Sequence, residues 1–406
     1  MSLIDVKVEL GFNEGTFGQA LFTLDSVADS ILGTSRLAGT TFYDVSSYVM
    51  AVSVNRGRSR QLDYFNAGSA TITFNNRDRV FDPTNTASPY YPSIVPRCIV
   101  RITAKNLPVF YGFVNDWDID YDVANNDVAS ASCSDAFMVL SNQQLREFTP
   151  VLESTGSRIN TVLNRSEVDY RGGRDVANGN STLGAYQVSA GTNVLNYLRQ
   201  VERSEVGFLF VAANGDIVFV QRAVPPNADI LSFTDDGSGL PYQNLQNQFG
   251  DELLHNYVVT KSPAGVEQVK SDTTSINKYQ ISELSFSNLL NSTTGQVADI
   301  ADVFLRKYKD PKMRFTGFSV QMLGLDDTER NQILDLDLID YVYVTKSYVV
   351  GSPSSRTELA YVSGVSHDIR PGSHVVTFSV ESAQQDTFLV LADTVAGKLD
   401  FGLLDF

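Results

Sequence analysis

The sequence has few of the residues from which metal sites, disulfide frameworks and many active sites are built. Its 406 residues include two cysteines and three histidines. Cys98 and Cys133 stand in unrelated contexts without a CxxC pattern, so they indicate neither a disulfide framework nor a zinc site. His255, His367 and His374 show neither HxH nor HExxH spacing, which favours solvated or structural histidines over a two-histidine site. We therefore predict no metal and no cofactor.

The familiar catalytic patterns are missing as well. The sequence contains no GxSxG motif, no P-loop and no dinucleotide-binding fingerprint. Glu153 and Asp169 are carboxylates of the kind that a glycosidase uses, but nothing in the sequence brings them together. We predict that the protein is not an enzyme.

Apolar runs long enough to cross a bilayer are also lacking, so we expect no membrane-spanning segment. The first ten residues, MSLIDVKVEL, carry charges at Asp5, Lys7 and Glu9 and do not contain the apolar segment of a signal peptide. The protein is therefore expected to be made in the cytoplasm and either to stay there in solution or to join a particle.

The sequence has fewer basic than acidic residues. The chain has 31 Lys and Arg against 47 Asp and Glu, which gives a formal net charge of −16. Binding duplex DNA through its phosphates requires a basic surface, so this balance argues against a nucleic-acid reader. An acidic wall repels DNA, which suits a channel through which DNA must slide without sticking. The same acidity also aids solubility, and the charge by itself is compatible with both interpretations.

Aromatic and β-branched residues are plentiful. The 24 Phe and 18 Tyr, together with many Val, Thr and Ser, favour strands over helices. From Val6 to about Val128 the chain shows short alternating segments bounded by Gly, Asn, Asp and Pro, a spacing typical of barrels and sandwiches. We predict a mainly β protein with an α+β insert, in which two β-barrel-like domains flank a smaller α/β domain.

The predicted domains follow from changes in apolar spacing. Val194, Leu198 and Val201 form a helical stripe after a candidate N-cap at Thr192, and Asn214-Gly215 is a strong hairpin signal. Residues 223–250, rich in Pro, Gly and Asn, are predicted to be a long connection. The predicted boundaries are an N-terminal β-barrel-like domain at 1–135, an insert at 136–250 with a helix at 193–205 and a hairpin at 208–222, a second β-barrel-like domain at 251–385 with a helix at 295–309, and a C-terminal tail at 386–406.

Arginines recur near the start of the chain. Arg56, Arg58 and Arg60 fall on one face of an extended segment. A row that binds phosphates is conceivable, but without a Gly-rich phosphate loop an exposed strand face or an ion-pair row between subunits is favoured. Arg77 and Arg79 lie in a predicted turn, where mixed charge indicates solvent or local pairing.

Four aspartates alternate with larger residues: Asp116, Asp118, Asp120 and Asp122. The D-x-D-x-D pattern begins many calcium loops, but here Tyr121 occupies the sixth position instead of Gly, and Asp127 occupies the twelfth instead of Glu. The period of two predicts a strand with one acidic face, which is a candidate channel surface.

Residues 55–92 carry four motifs in a fixed order: RGRSR, GSATITF, NRDRVFDPTN and SPYYP. In this order they resemble a signature of minor tail proteins, the tail-tip or baseplate hub proteins of long-tailed, siphovirus-like bacteriophages. Other segments are similar to that family too, among them FYGFVNDWDIDYD, VERSEVGFLFVAANGDIVF and VSGVSHDIRPGSHVVTFSVE. The resemblance covers about residues 40–385.

The resemblance implies a ring-forming structural component at the tail tip. Two barrel-like domains per subunit, repeated around a threefold axis, would connect the sixfold tail tube to tip or receptor-binding proteins and form part of the DNA channel. The implied partners are further copies in a homotrimer, the distal tail protein, the tape measure, and tip or fibre proteins, with DNA passing without specific binding. The implied location is the tail tip of the virion, after assembly in the cytoplasm of the bacterial host.

Two other functions are compatible with the sequence. The chain could instead be the sixfold distal tail adaptor, or a receptor- or carbohydrate-binding tip protein, for which Tyr90 and Tyr91 would supply aromatic contacts.

Residues 76–92 are predicted to form a Pro-fixed loop at a subunit or ring interface. Replacement of Asp82 and Tyr90 is then expected to impair assembly more than folding.

Overall fold

The computed structural model describes residues 6–13, 40–58, 60–170, 172–222 and 230–383. The predicted C-terminal tail, residues 386–406, and most of the first forty residues lie outside this part of the chain.

The first described part is built from strands in which inward and outward side chains alternate. In the fourth strand Ala70, Ile72 and Phe74 are buried, while the residues between them face outward. The strands are β1 Val6–Asn13, β2 Thr40–Asp44, β3 Val49–Gly57, β4 Asn66–Asn75, β5 Ile99–Ala104, β6 Leu107–Asp120 and β7 Val128–Ser134.

An α/β insert follows these strands. Its elements are α1 Ala136–Ser141, β8 Gln144–Leu145, β9 Glu153–Ser154, α2 Thr155–Leu163, β10 Arg174–Val176, β11 Thr182–Leu183, β12 Thr192–Asn193, α3 Val194–Arg203, β13 Phe208–Val211 and β14 Ile217–Val220. The predicted stripe of α3 is fully buried. Its N-cap is Asn193 rather than Thr192, because the Asn193 side chain accepts the backbone N–H of Asn196 at 3.1 Å.

The remaining described residues return to strands with three intervening helices. The elements are β15 Leu231–Thr234, β16 Leu240–Pro241, β17 Gln243–Gln248, β18 Tyr257–Lys261, β19 Glu267–Ser271, α4 Thr273–Tyr279, β20 Glu283–Phe286, α5 Thr294–Tyr308, β21 Arg314–Gln321, α6 Asp327–Asp335, β22 Tyr341–Ser347, β23 Ser355–Arg370 and β24 Ser373–Ser382. The long connection predicted at 223–250 therefore contains three short strands. Their sequence signal is weak because β15 and β16 have only four and two residues, and because β17, QNLQNQ, has no apolar alternation and is held by pairing with β21.

One large sheet joins the N-terminal strands to the C-terminal strands. Its order is β2–β1–β5–β6–β7–β4–β3–β23–β22–β15–β16, and β24 pairs with β23 and leads through β21 to β17. The mainly β fold with an α/β insert is thus confirmed. Within the described residues the sheet is open, ending at β2, β16 and β17, so the closed barrels of the prediction are not confirmed.

The long strand β23 connects the two halves of this sheet. Its first part pairs with β22, and from Gly364 onward it pairs with β3, beginning opposite Gly57. Gly57 has a φ of +116°, and a Cβ atom at this position would overlap the backbone of Gly364. Only glycine allows the two strands to approach this closely at the point where β23 changes partner.

A smaller sheet of β19, β18 and β20 lies outside the large sheet. Helix α5 covers it, since Val258 of β18 packs with Ala301 and Leu305 of α5. The sequence placed this segment inside a second barrel-like domain. Its strands pair only with one another among the described residues, so it forms an α/β unit of its own.

Candidate functional site

Six neighbouring strands of the large sheet present a continuous outward surface of small polar side chains, which we call the polar sheet face. Alternation produces it: in β7, Ala129, Ala131 and Cys133 point into the core, while the serines between them point outward. The face comprises Asp116, Asp118 and Asp120 of β6, Ser130 and Ser132 of β7, Ser69, Thr71 and Thr73 of β4, Ser53 and Asn55 of β3, Ser366 and Asp368 of β23, and Thr377 of β24.

Strand register aligns these residues in rows across the sheet. One row runs from Asp116 through Ser132, Thr71 and Ser53 to Asp368, each residue directly opposite the next. With strands about 4.8 Å apart, this row spans about 19 Å. The two halves of the chain therefore contribute to one surface.

The chemistry of the polar sheet face is acidic and rich in hydroxyls. Asp116, Asp118 and Asp120 are exposed, as is Asp368. Arg370, at the end of β23, lies 3.0 Å from Asp368, so these two exposed charges partly offset each other and the net negative charge of the face comes from the three aspartates of β6. A surface of this kind repels a polyanion and offers it no fork of cationic donors.

The aspartate row of the prediction is divided between a strand and a loop. As predicted, Asp116, Asp118 and Asp120 lie on one face of β6, and the half-buried Trp117 and Ile119 lie on the other face of the same strand. Asp122 lies beyond the strand, where its carboxylate accepts hydrogen bonds from the Ala124 backbone (3.3 Å) and the Asn126 side chain (3.2 Å). In the described part of the chain, no three His, Cys, Asp or Glu side chains are grouped to hold a metal ion.

The prediction that Arg56, Arg58 and Arg60 form an exposed row is wrong for Arg56 and Arg58, which are buried. Arg56 shares the inward face of β3 with Val52 and Val54, is 4% exposed, and its Nη1 lies 2.7 Å from Asp337 Oδ1. Period-two alternation explains its burial, because Arg56 has the parity of the core valines. Asp337 also accepts the backbone N–H of Ala213 at 2.8 Å, so this carboxylate ties β3 to the insert.

Arg58 is buried as well, in a second ion pair. Its Nε and Nη2 donate to Glu381 at 2.7 and 2.6 Å, and Nη2 donates to the Tyr361 hydroxyl at 3.0 Å. The guanidinium also lies over the rings of Phe65 and Phe208, at 5.0 and 5.3 Å. Burial opposes the charge, but the Tyr361 and Glu381 oxygens raise the pKa of Arg58 above its usual value.

Arg60 alone remains at the surface. It is 74% exposed and faces Glu252 at 3.6 Å. An exposed pair at this distance contributes little to stability. Of the three arginines, it is the only candidate for contact with another protein.

The loop at 76–92 is held from within by Asp82, which is 1% exposed. Its carboxylate accepts hydrogen bonds from Arg79 Nη2 (2.6 Å), the Thr84 backbone (2.8 Å) and the Tyr121 hydroxyl (2.8 Å). Burial favours the neutral acid, yet the bonds from Thr84, Tyr121 and Arg79 hold the pKa of Asp82 well below its usual range. Arg79 is therefore paired locally with Asp82, which agrees with the pairing expected for a charged residue in a turn.

The paired tyrosines of this loop point in different directions. The half-buried Tyr90 stacks on Phe81 at 5.9 Å and contacts Phe12, whereas Tyr91 is 42% exposed. Arg77 is exposed and donates to Asn126 at 2.6 Å. Asp82 and Tyr90 thus make contacts within the subunit. Arg77 and Tyr91 are the residues of the loop that are accessible to a partner.

Sequence reasoning missed a buried histidine pair. His367 Nδ1 and His374 Nε2 lie 3.1 Å apart in a hydrogen bond between β23 and β24. Burial lowers the pKa of His374 to about 4, and burial together with the neighbouring His374 and Arg56 lowers the pKa of His367 well below its usual value. The sequence signal for the pair was the position of His367 two residues from both Val365 and Ile369, which places it on the same buried face of β23.

A second missed group is the buried Asp135, the N-cap of α1. Its carboxylate accepts the backbone N–H groups of Gly68 (2.6 Å) and Phe137 (2.9 Å). Burial raises its pKa to about 7 despite these bonds. An Asp directly before the apolar run AFMVL was a recognisable capping signal.

No protein-family model matches the chain, and no curated protein is similar to it in sequence. The fold nevertheless has solved counterparts. The 43 kDa tail protein of prophage MuSo2 from Shewanella oneidensis is 13% identical, with a TM-score of 0.57 over 85% of this chain and 96% of that one. A tail protein from Neisseria meningitidis MC58 is 10% identical, with a TM-score of 0.60 over 93% and 96%. A prophage tail protein from Listeria monocytogenes EGD-e is 11% identical, with a TM-score of 0.51 over 94% and 95%. The chain therefore has the fold of phage tail proteins.

Proposed function

We propose that the protein is a structural, non-enzymatic component of a phage tail tip. In this proposal it forms a ring that connects the tail tube to tip or receptor-binding proteins, and the polar sheet face lines part of the DNA channel. The observation that carries the proposal is the row from Asp116 to Asp368, which places acids and hydroxyls from both halves of the chain on one exposed surface.

The physical reason is the behaviour of DNA beside such a wall. Exposed charges act over a Debye length of about 8 Å at physiological salt, so Asp116, Asp118 and Asp120 would repel passing phosphates. Small hydroxyl side chains offer neither cations nor aromatic stacking platforms, the two groups that hold nucleic acids. A channel with these properties guides DNA without retaining it.

Exposed apolar side chains elsewhere support contacts with neighbouring tail proteins. At the tip of the β22–β23 hairpin, Val349 and Val350 are 101% and 84% exposed, and Phe249 beyond β17 is 70% exposed. The adjacent Val349 and Val350 expose apolar surface together in a projecting hairpin, and contact with a neighbouring protein would bury it. In the described part of the chain, none of the helices has the length and apolar character that crossing a bilayer requires.

The sixfold distal tail adaptor is the alternative that shares these features. The number of copies per tail distinguishes the two. We expect three copies at the tip from the mass of purified, assembled tail tips and from labelling with an antibody against this chain. Six copies would favour the adaptor, and a stable monomer absent from the particle would overturn both.

The carbohydrate-binding alternative loses its main support. Tyr90 and Tyr91 do not form a joint aromatic platform, because Tyr90 packs against Phe81 and Phe12 inside the subunit. Binding of the purified protein to a glycan array would reinstate this alternative.

A further inference from the structure

A notch at the meeting point of three distant parts of the chain is not used by the function proposed above. It has a volume of about 270 Å³ and is lined by Tyr64, Gln200, Arg203, Ser287, Asn288 and Leu289. Tyr64 precedes β4, Gln200 and Arg203 belong to α3, and the last three residues follow β20. We call it the Arg203 notch.

Arg203 is the charged group of the notch. Its guanidinium lies 4.3 Å from the centre of the Tyr64 ring and 5.2 Å from that of Phe286. It forms no salt bridge with any of the described residues, and the adjacent Glu202 is buried and accepts from Leu209 N at 2.9 Å. The rings hold the guanidinium in place, and its N–H groups donate to no other residue in the described part of the chain.

A second arginine shows the same surplus of donors. Arg199 lies 5.3 Å from the Tyr64 ring and donates to the Phe65 carbonyl at 3.1 Å, while its Nε is buried without a hydrogen-bond partner. Two guanidinium groups thus flank one tyrosine, and the carboxylate next to them in α3, Glu202, is buried and hydrogen-bonded to the Leu209 backbone. Such an arrangement favours an acceptor with negative charge.

The rest of the lining is mostly polar, and a hydrogen bond joins its two segments. Gln200 Nε2 donates to the Asn288 carbonyl at 2.7 Å, which closes the floor between α3 and the segment after β20. Ser287 and Asn288 are exposed, and Leu289 below them is fully buried. The notch therefore exists before a ligand arrives and offers donors on a fixed frame.

We propose that the Arg203 notch receives an Asp or Glu side chain from a second copy of this chain. The inference rests on the proposed ring assembly. The chain carries 47 acidic against 31 basic residues, so two copies repel each other over most of their surfaces. Unpaired guanidinium groups facing a carboxylate offer a contact that like-charged copies can use, and the planar fork of arginine fits a carboxylate through two parallel hydrogen bonds.

Cross-linking tests this contact on the full chain. Ser287→Cys introduces a thiol at the rim, and the native Cys98 and Cys133 do not compete because both are buried and burial raises the pKa of each thiol. The introduced thiol is labelled with a benzophenone photo-cross-linker. Chains grown in ¹⁴N and in ¹⁵N medium are mixed before assembly, so that a cross-link between two copies contains both isotopes. We expect mixed-isotope cross-links to a peptide that contains Asp or Glu.

Arg203→Glu should lower the yield of mixed-isotope cross-links and weaken association by about 30-fold or more, since loss of one partner of a desolvated charge pair has effects of this size. Arg146→Glu is the matched control, because Arg146 is exposed and the same charge change there should have no effect. If Arg203→Glu fails to fold, Arg203→Gln should still weaken association, and Arg203→Lys should recover part of it.

The outcomes separate the two proposals. Assembled rings that yield only cross-links within one chain, or that are equally weakened by Arg203→Glu and Arg146→Glu, would overturn the notch contact and leave the ring standing. Absence of any assembly by the wild-type chain would overturn the ring and the notch together.

Discussion

The Arg58 guanidinium holds the Glu381 carboxylate through two hydrogen bonds of 2.7 and 2.6 Å, although the two residues are 323 positions apart in the chain. Both side chains are buried, with exposures of 9% and 4%. The pair lies beside the contact of β3 with β23, where the two halves of the large sheet meet. The polar sheet face depends on this junction, because its rows cross from β3 to β23.

Removal of the Glu381 charge should destabilise the protein strongly. Glu381→Gln leaves the Arg58 guanidinium buried without a countercharge, which typically costs about 3–5 kcal/mol. Urea denaturation followed by circular dichroism measures the loss. Arg60→Gln is the control, since its exposed contact with Glu252 at 3.6 Å should change the free energy of unfolding by less than about 1 kcal/mol. Equal effects of the two substitutions would contradict the structural role of the buried pair.

Gly57→Ala should damage the same junction by a steric route. The new Cβ would overlap the Gly364 backbone, and the φ of +116° is unfavourable for alanine. Gly265→Ala is a matched control, because Gly265 has a φ of +82° but no neighbouring atom within 4 Å of the place that a Cβ would occupy. We expect a cost of about 1 kcal/mol for the control and a clearly larger one for Gly57→Ala, measured by denaturation. A similar cost at both positions would show that the strands can separate freely.

The His367–His374 pair should make stability depend on pH. Burial lowers the pKa of His374 from 6.5 to about 4, so the unfolded chain binds protons more readily than the folded one between these values. The contribution of the pair is therefore complete above about pH 6.5 and is lost as the pH falls toward 4, at up to about 1.4 kcal/mol per pH unit for each histidine.

Buried acids act in the opposite direction over the same range. Burial raises the pKa of Asp135 and Glu202 to about 7 and that of Asp340 to about 6, and each of these groups favours the folded state at low pH. The histidine effect must therefore be measured as a difference. The free energy of unfolding of His367→Asn/His374→Asn, compared with wild type at pH 7 and pH 5, should show a smaller acid-induced loss. Parallel pH profiles would contradict this account of the pair.

Asp82→Ala should loosen the loop at 76–92. The substitution removes the acceptor of Arg79, Thr84 and Tyr121, and the loss of several charge-assisted hydrogen bonds is expected to cost about 2–4 kcal/mol. Faster hydrogen exchange confined to this loop, together with a lower denaturation midpoint, would confirm it. Arg77→Ala, at the exposed end of the loop, should leave both unchanged; an equal effect would show that Asp82 does not anchor the loop.

Charge reversal on the polar sheet face should create DNA affinity. The wild-type protein is expected not to bind duplex DNA, whereas Asp116→Lys/Asp118→Lys/Asp120→Lys places three exposed cations in a row. Fluorescence anisotropy with labelled DNA should show binding that weakens steeply with salt. Wild-type affinity equal to that of the variant would contradict a face that repels DNA.

Local patterns predicted the individual elements well. Alternation identified β4 and the acidic stretch of β6, and helical spacing identified α3 and α5, because these features depend on one face of each element meeting the core. The same rule applied to Arg56, whose parity matches that of Val52 and Val54. Burial of this arginine requires the countercharge of Asp337, which is 281 residues away in the chain and has no local signal.

The junction could not be predicted in the same way. Nothing local links Gly57 to Gly364 or Arg58 to Glu381, since their pairing depends on contacts hundreds of residues apart. The strands β15, β16 and β17 were missed for a related reason: β15 and β16 are very short, β17 is polar, and neighbouring strands hold all three in place. The Arg203 notch joins three separate segments and has no motif of its own.

The central claim is that the polar sheet face lines the DNA channel of an assembled ring, and a reconstruction of the tail tip by electron cryomicroscopy tests it most directly. We expect the row from Asp116 through Thr71 to Asp368 to face the lumen in every copy, with the Val349–Val350 hairpin tip turned toward a neighbouring protein. A reconstruction that places this row on the outer surface of the particle, or buries it against another protein, would contradict the account.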